Sequence, residues 1–131
     1  MHRIFLDANV LFSAAYRPDS GLLKLWEMKV ELIASAYALE EAAINLERGA
    51  QRDRLSRLTR NVEIISTHTD LELPEGVTLP EKDRPIMAAA IAAKSSHLLT
   101  GDITHFGPYL GRTISGVFIL TPAEYIRSRI K

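Results

Sequence analysis

The sequence contains no cysteine, which excludes disulfides, thiolate metal sites and cysteine nucleophiles. Any bound metal must therefore be held by oxygen or imidazole. No uninterrupted apolar run approaches the roughly 20 residues of a membrane span. The start, Met-His-Arg followed by Ile-Phe-Leu, has neither the long apolar stretch nor the small-residue cleavage site of a signal peptide. A soluble, cytoplasmic protein with no membrane partner is expected. Net charge is missing too: 16 Lys and Arg balance 16 Asp and Glu. That removes a strong global attraction to nucleic acid but leaves room for a local patch. No internal repeat, low-complexity run or interdomain linker breaks the chain.

What is present is enough apolar residue, 47% of 131 positions, to build one real core, so a single domain spanning 1–131 is expected. The charges are unevenly placed. Residues 48–60 hold Arg48, Arg52, Arg54, Arg57 and Arg60 against Asp53 alone, whereas 61–83 hold six acids against Lys82. A basic helical segment thus precedes an acidic connection.

Arg3-Ile-Phe-Leu-Asp7 is a short apolar run ending in an acid, the pattern of a strand buried on both faces of a parallel sheet. A first loop follows. Ser20 and Gly21 then lead into a helical spacing of apolar residues from Leu22 to about Lys29. Val30 to Ser35 reads as a second strand, and Ser35 is a good N-cap for an alanine-rich helix from Ala36 to about Glu47. Gly49 punctuates that helix; Gln51 to Arg60 predicts another, and Val62 to Ile65 a third strand. Proline, glycine and acids dominate 66–80, where an irregular connection is expected. Asp83-Arg-Pro85 opens a helix with an acid at the cap and proline in the first turn, and Ile86 to Lys94 is almost wholly apolar. Ser96 to Thr100 predicts a strand ending at Gly101-Asp102. A polar loop, a strand at Gly116 to Leu120 and a helix capped by Thr121-Pro122-Ala-Glu124 complete the chain. Strands alternating with helices predict a three-layer α/β/α fold with a mainly parallel sheet. In such sheets, sites form beyond the carboxyl ends of the strands.

Asp7 and Asp102 each stand at or just after the end of an apolar strand, which puts both on that edge. Asp83 caps a buried helix, and Glu41 lies on a helix among the small and apolar Ala42, Ala43 and Ile44. Taken singly, each acid has an ordinary explanation as a cap, a turn residue or a solvated helix acid. Together they do not. Carboxylates sharing a cleft repel by several kcal/mol, on the order expected for a close pair at an effective dielectric near 20, and need a compensating cation. Hard oxygen ligands point to Mg²⁺ or Mn²⁺.

Leu6-Asp7-Ala8-Asn9-Val10-Leu11, the Glu41 helix, Lys82-Asp83-Arg84-Pro85-Ile86, and Leu99-Thr100-Gly101-Asp102 through His105-Phe106 resemble, in order, the PIN-domain family of metal-dependent nucleases. The likeness is strongest to the small proteins that include the toxins of bacterial toxin–antitoxin pairs. It implies a ribonuclease that hydrolyses RNA phosphodiesters with Mg²⁺ or Mn²⁺, together with an antitoxin protein as partner and a homodimer. Asp7, Glu41, Asp83 and Asp102 fall on the family's acidic positions, as catalytic residues and metal ligands. Asn9 would orient Asp7, and Thr100 would line the site.

Glu40 and Glu41 compete for one role, because neighbouring helical residues point about 100° apart. Glu41 is preferred, as the second acid after the leucine and on one face with Tyr37 and Ile44 or Asn45. Arg48, Arg52, Arg84 and His105 are candidates for RNA contacts; a solvated helix face is the ordinary alternative for the arginines, and a surface or capping role for His105. Trp26 and Tyr37 read as core or dimer contacts rather than base-stacking platforms, and Tyr16 and Arg17 in the first loop are open to either role. A dimer could bury the helix from Leu22 to Trp26 and part of the helices at 36–60 across a two-fold. His2, His68 and His97 have no metal-ligand spacing.

Two other classes compete. A catalytically silent PIN-type module could bind protein or RNA instead, although retention of all four acids argues against a degenerate copy. A phosphatase or phosphoacceptor also ends its first strand in Asp, but wants a second acid two residues on or a lysine near the last strand. Position 9 is Asn, and Lys94 precedes its strand on a helix.

Overall fold

The computed structural model describes residues 1–66 and 72–129. Its centre is the strand β1 (Arg3–Leu6), in which Ile4, Phe5 and Leu6 are fully buried. Parallel partners flank it on both sides: β2 (Glu31–Ser35) and β4 (His97–Leu99). Strand β3 (Val62–Ile65) extends the sheet beyond β2. On the other side, β6 (Val117–Leu120) pairs in parallel with β4, and the two-residue β5 (Thr113–Ile114) runs antiparallel along β6. The sheet order is β3-β2-β1-β4-β6-β5, so the chain winds outward from β1 in one direction and then the other. Right-handed crossovers lay the two sets of connections on opposite faces, giving the α/β/α layering.

The first connection corrects the sequence reading. The segment after Asp7, expected to be a loop, is the helix α1 (Ala8–Tyr16), with Val10, Leu11, Ala14 and Ala15 buried. It packs against α2 (Ala36–Asn45) and α3 (Gly49–Thr59). Between α1 and β2, Gly21–Glu27 is a 3-10 helix rather than an α-helix. Its Leu25 is fully buried, and the Trp26 indole Nε1 donates to Leu58 O at 2.9 Å. Both contacts seat this segment on its own chain.

Ser35 caps α2, its hydroxyl accepting from Ala38 N at 3.1 Å. Gly49 begins α3 rather than ending α2. A single 3-10 turn, Glu81–Asp83, enters α4 (Arg84–Ala92), which buries Ile86 through Ala90 on most sides, as its composition predicts. The stretch 66–80 was expected to be irregular; its part at 67–71 lies outside the described residues, as does His68, and 72–80 contains neither helix nor strand.

After β4, the expected polar loop holds structure: the short helix α5 (Ile103–Phe106), a 3-10 turn at Gly107–Tyr109, and the β5–β6 hairpin. Ser115 (φ 48°) and Gly116 (φ 85°) turn that hairpin with both residues left-handed, the two-residue geometry that matches sheet twist. The last helix, α6 (Pro122–Arg129), starts with Thr121 and Glu124 bonded to each other, Oγ1 to Oε1 at 2.9 Å and Glu124 N to Oγ1 at 3.2 Å. Among the described residues, no helix is long and apolar enough to cross a membrane.

Candidate metal centre

Because β1 and β4 are neighbours and parallel, their carboxyl ends open side by side where the winding reverses direction. Asp7 ends β1 and is 4% exposed. Its two oxygens have separate duties. Oδ1 accepts from Ala8 N at 2.7 Å and caps α1, while Oδ2 accepts from the Thr100 hydroxyl at 2.7 Å and Asn9 Nδ2 at 3.1 Å. Asn9 also accepts from Gly101 N at 2.7 Å, tying the β1 end to the β4 end. Thr100 Oγ1 in turn accepts from Asp102 N at 3.1 Å.

Asp102 caps α5, its Oδ1 accepting from His105 N at 3.0 Å. That turn brings the imidazole round so that His105 Nδ1 lies 2.8 Å from Asp102 Oδ2 and 2.7 Å from Asp83 Oδ2. Asp83, expected to cap α4, makes no side-chain cap bond there. Its carboxylate faces Asp102 and His105, and ligand atoms of the three lie within 4.8 Å of one another. Neither approach of His105 Nδ1 has hydrogen-bond alignment, so Asp83 Oδ2 and His105 Nδ1 are buried without a hydrogen-bond partner among the described residues.

Around these groups lies a cleft of about 530 Å³ lined by Asp7, Asn9, Glu41, Lys82, Asp83 and Asp102, with Phe12 and Asn45 among the others. Glu41 lines the cleft, and Glu40 does not. Thr100 contributes through its bonds to Asp7 and Asp102. Arg48, Arg52 and Arg84 are not in the lining. Arg52 is instead spent on structure, donating to Leu46 O at 2.7 Å, and the Arg48 backbone N donates to Gln51 Oε1 at 3.2 Å. The cation at the cleft is Lys82, to which the sequence reading gave no role of its own. The sequence suggests His105 as a contact to phosphate or to a proton in the reaction, or as a surface or capping residue, but gives no sign that it joins the Asp83–Asp102 cluster.

The electrostatics follow the burial. Desolvation pushes the Asp7 carboxyl up to about 6, despite the Thr100 hydroxyl and Ala8 amide, and the charges of Asp83 and Asp102 add to the rise. Asp83 is raised chiefly by burial, with His105 and Lys82 opposing and Asp102 adding. The Tyr37 phenol, raised first by burial, also feels the charges of Glu41, Asp83 and Asp7. Such a set lacks positive charge at its centre. Carboxylates from three elements, an orphaned buried oxygen and an imidazole between two acids fit a small divalent cation with oxygen and nitrogen ligands.

No protein-family model matches the sequence, and no curated protein matches it. Among solved structures, the crystal structure of VapBC2 from Rickettsia felis bound to a DNA fragment from their promoter is similar to this chain. The TM-score is 0.63 and the identity 21%, over 91% of this chain and 98% of that one. The likeness is one of fold, and it agrees with the PIN-like three-layer α/β/α arrangement.

Proposed function

We propose that this protein is a divalent-metal-dependent ribonuclease that hydrolyses RNA phosphodiester bonds, and that it acts in the cytoplasm as the toxin of a toxin–antitoxin pair. The observation that carries the reading is the meeting of Asp83, Asp102 and His105 beside the buried Asp7 at the point where the sheet reverses direction. The PIN resemblance supplies the choice of RNA, of a homodimer and of an antitoxin partner. The fold shared with VapBC2, crystallised on DNA from its own promoter, supports the same setting.

In this reading Asp7, Asp83 and Asp102, with Glu41, would hold Mg²⁺ or Mn²⁺. When bound, such an ion neutralises phosphate charge and activates water for attack. The chain's own residues do the rest. Thr100 and Asn9 hold Asp7 Oδ2 in place, and Ala8 N holds Oδ1. Asn9 locks the β4 end to the β1 end through Gly101 N, so the two strand-end acids keep a fixed separation. Lys82 offers a cation to the phosphate backbone at the rim. His105 sets its Nδ1 between Asp83 and Asp102, 2.7 and 2.8 Å from their Oδ2 atoms.

Labelled RNA incubated with purified protein and Mn²⁺ tests the reading, beside Asp7→Asn and Asp102→Asn. Cleavage by the wild type alone is expected, abolished by EDTA and restored by Mg²⁺. Equal cleavage by all three proteins sinks the site. No cleavage, with capture of RNA or protein independent of metal, replaces the enzyme with a binding module.

A further inference from the structure

Helix α1 carries more than Asp7 and Asn9. Phe12 and Tyr16, four residues apart, share one helix face, and their rings stack with centroids 5.3 Å apart and planes 22° from parallel. Tyr16 is 51% exposed, an uncommon place for a large ring in a helix that otherwise supplies core. Phe12 lines the acidic cleft and also a second, smaller cavity of about 270 Å³. Ser13, Tyr16, Arg17 and Asp19 line that second cavity with it. The two spaces therefore adjoin across the Phe12 ring.

We propose that the stacked Phe12–Tyr16 pair and Arg17 form a nucleotide subsite, in which an unpaired RNA base stacks on Tyr16 while Arg17 meets the adjacent phosphate. The inference deepens the ribonuclease reading and rests on it for the polarity of the strand's path from the acids. Three observations converge. At 1.5 Å rise per residue, Phe12 lies about 7.5 Å along the axis from Asp7 and Tyr16 about 6 Å further, steps on the order of one or two nucleotides. The cavity falls just below the range of about 300–1,000 Å³ typical of sites for whole small molecules, a size suited to a single base. Arg17 is exposed, and its side chain makes no ion pair or hydrogen bond among the described residues, so its guanidinium is available for a phosphate. A flat aromatic face beside a free cation is the combination that single-stranded nucleic acid uses, and it tolerates any base. Asp19, also in the lining, disfavours a second phosphate there and limits the subsite to one nucleotide.

The alternative is that the pair merely stabilises α1. Binding separates the two. Fluorescence anisotropy of a labelled mixed-sequence RNA octamer is measured in Ca²⁺, with gels confirming that the strand stays intact, alongside an octamer of the same length made of abasic residues. Tyr16→Leu is expected to weaken binding of the base-bearing octamer about tenfold and to leave the abasic one unchanged; Tyr16→Phe binds as the wild type does. Arg17→Gln lowers affinity for both and reduces the slope of affinity against salt by about one. The subsite is overturned if Tyr16→Leu binds the base-bearing octamer normally, if it loses both octamers alike, or if the wild type binds neither. Cleavage in Mn²⁺ is scored separately. Ring-dependent binding without cleavage keeps the subsite and sinks the nuclease, whereas equal cleavage of RNA by wild type and Tyr16→Leu, with equal binding, does the reverse.

Discussion

The Thr100 hydroxyl donates a 2.7 Å hydrogen bond to Asp7 Oδ2 across 93 residues of sequence, from the end of β4 to the end of β1. It also accepts from Asp102 N at 3.1 Å. One hydroxyl thus sets the relative position of two acids on adjacent strands, and it opposes the burial that raises Asp7. Thr100→Val keeps the shape and removes both bonds. Its cost should depend on pH. When Asp7 is ionised the loss is that of a hydrogen bond to a charge, about 1.5–3 kcal/mol; when Asp7 is protonated the loss is smaller. Thermal melts should therefore separate Thr100→Val from the wild type more at pH 8 than at pH 5. Thr100→Ser, which keeps the donor, should sit close to the wild type at both.

Asp7 itself is expected to oppose folding stability at neutral pH. Its folded value, about 6, lies above the ordinary carboxyl value of 3.8, so the folded state binds that proton more tightly. The stabilising contribution is complete below about pH 4 and is lost as the pH rises through 6, at most about 3 kcal/mol. Asp7→Asn removes the buried charge, although the new amide must set one donor against Asn9 Nδ2. A net gain of about 1–2 kcal/mol at pH 7.5 without metal is expected, seen as a rise of several degrees in melting temperature that vanishes near pH 4. Addition of Mn²⁺ should raise the melting temperature of the wild type and leave that of Asp7→Asn where it was. A variant that is less stable than the wild type at pH 7.5 contradicts the account.

Much of this site was legible because its acids sit where apolar runs stop. Ile-Phe-Leu and Leu-Leu are short apolar runs bounded by polar residues, the pattern of buried strands, and parallel neighbours must present their ends together. The segment 8–16 was not legible as helix for a related reason. Asn-Val-Leu-Phe-Ser-Ala-Ala-Tyr is apolar on most sides, so no amphipathic period stands out, and its start signal, Asp7, had already been read as a site acid. In the structure Asp7 caps α1 through Oδ1 and accepts from Thr100 through Oδ2. His105 was obscured differently: it lies on a helix of four residues, too short for periodicity, and its contact with Asp83 spans a long stretch of chain. The β5–β6 hairpin left a signal, the Ser115-Gly116 dipeptide, but a two-residue strand is shorter than any pattern test resolves.

Gly101 tests how closely the two strand ends are fitted. A Cβ at this position would stand 3.2 Å from Asn9 Oδ1, tighter than ordinary contact. Asn9 cannot retreat freely, because the same oxygen accepts from Gly101 N at 2.7 Å while its Nδ2 donates to Asp7 at 3.1 Å. Gly101→Ala is therefore expected to cost about 1 kcal/mol, the net worth of the hydrogen bond that must stretch, despite the usual gain from a less flexible unfolded chain. It should also weaken the Mn²⁺-induced rise in melting temperature, since Asp7 loses its anchor. Asn9→Ala in the same background should add little further, because both substitutions disturb one linkage. Fully additive costs in the double variant would mean that the two residues act apart.

Two arginines of the basic run at 48–60 are used to join helices. Arg54 donates to Ala15 O at 2.6 Å and Arg52 to Leu46 O at 2.7 Å. These carbonyls stand in the last turn of α1 and just after α2, where helix ends leave acceptors unpaired. The guanidinium groups are thus helix-end caps that hold α1, α2 and α3 together, and α1 is the helix that carries Asp7, Asn9 and Phe12. Arg54→Met, which keeps the apolar stem and drops the donors, should lower stability by about 1 kcal/mol. It should leave the salt dependence of RNA binding unchanged, because neutralising a group that contacts no phosphate releases no counterion. Arg17→Gln makes the contrast within the same assay. Its removal should reduce the salt slope with little loss of stability, so a drop in slope for Arg54→Met would return this run to the RNA-binding surface.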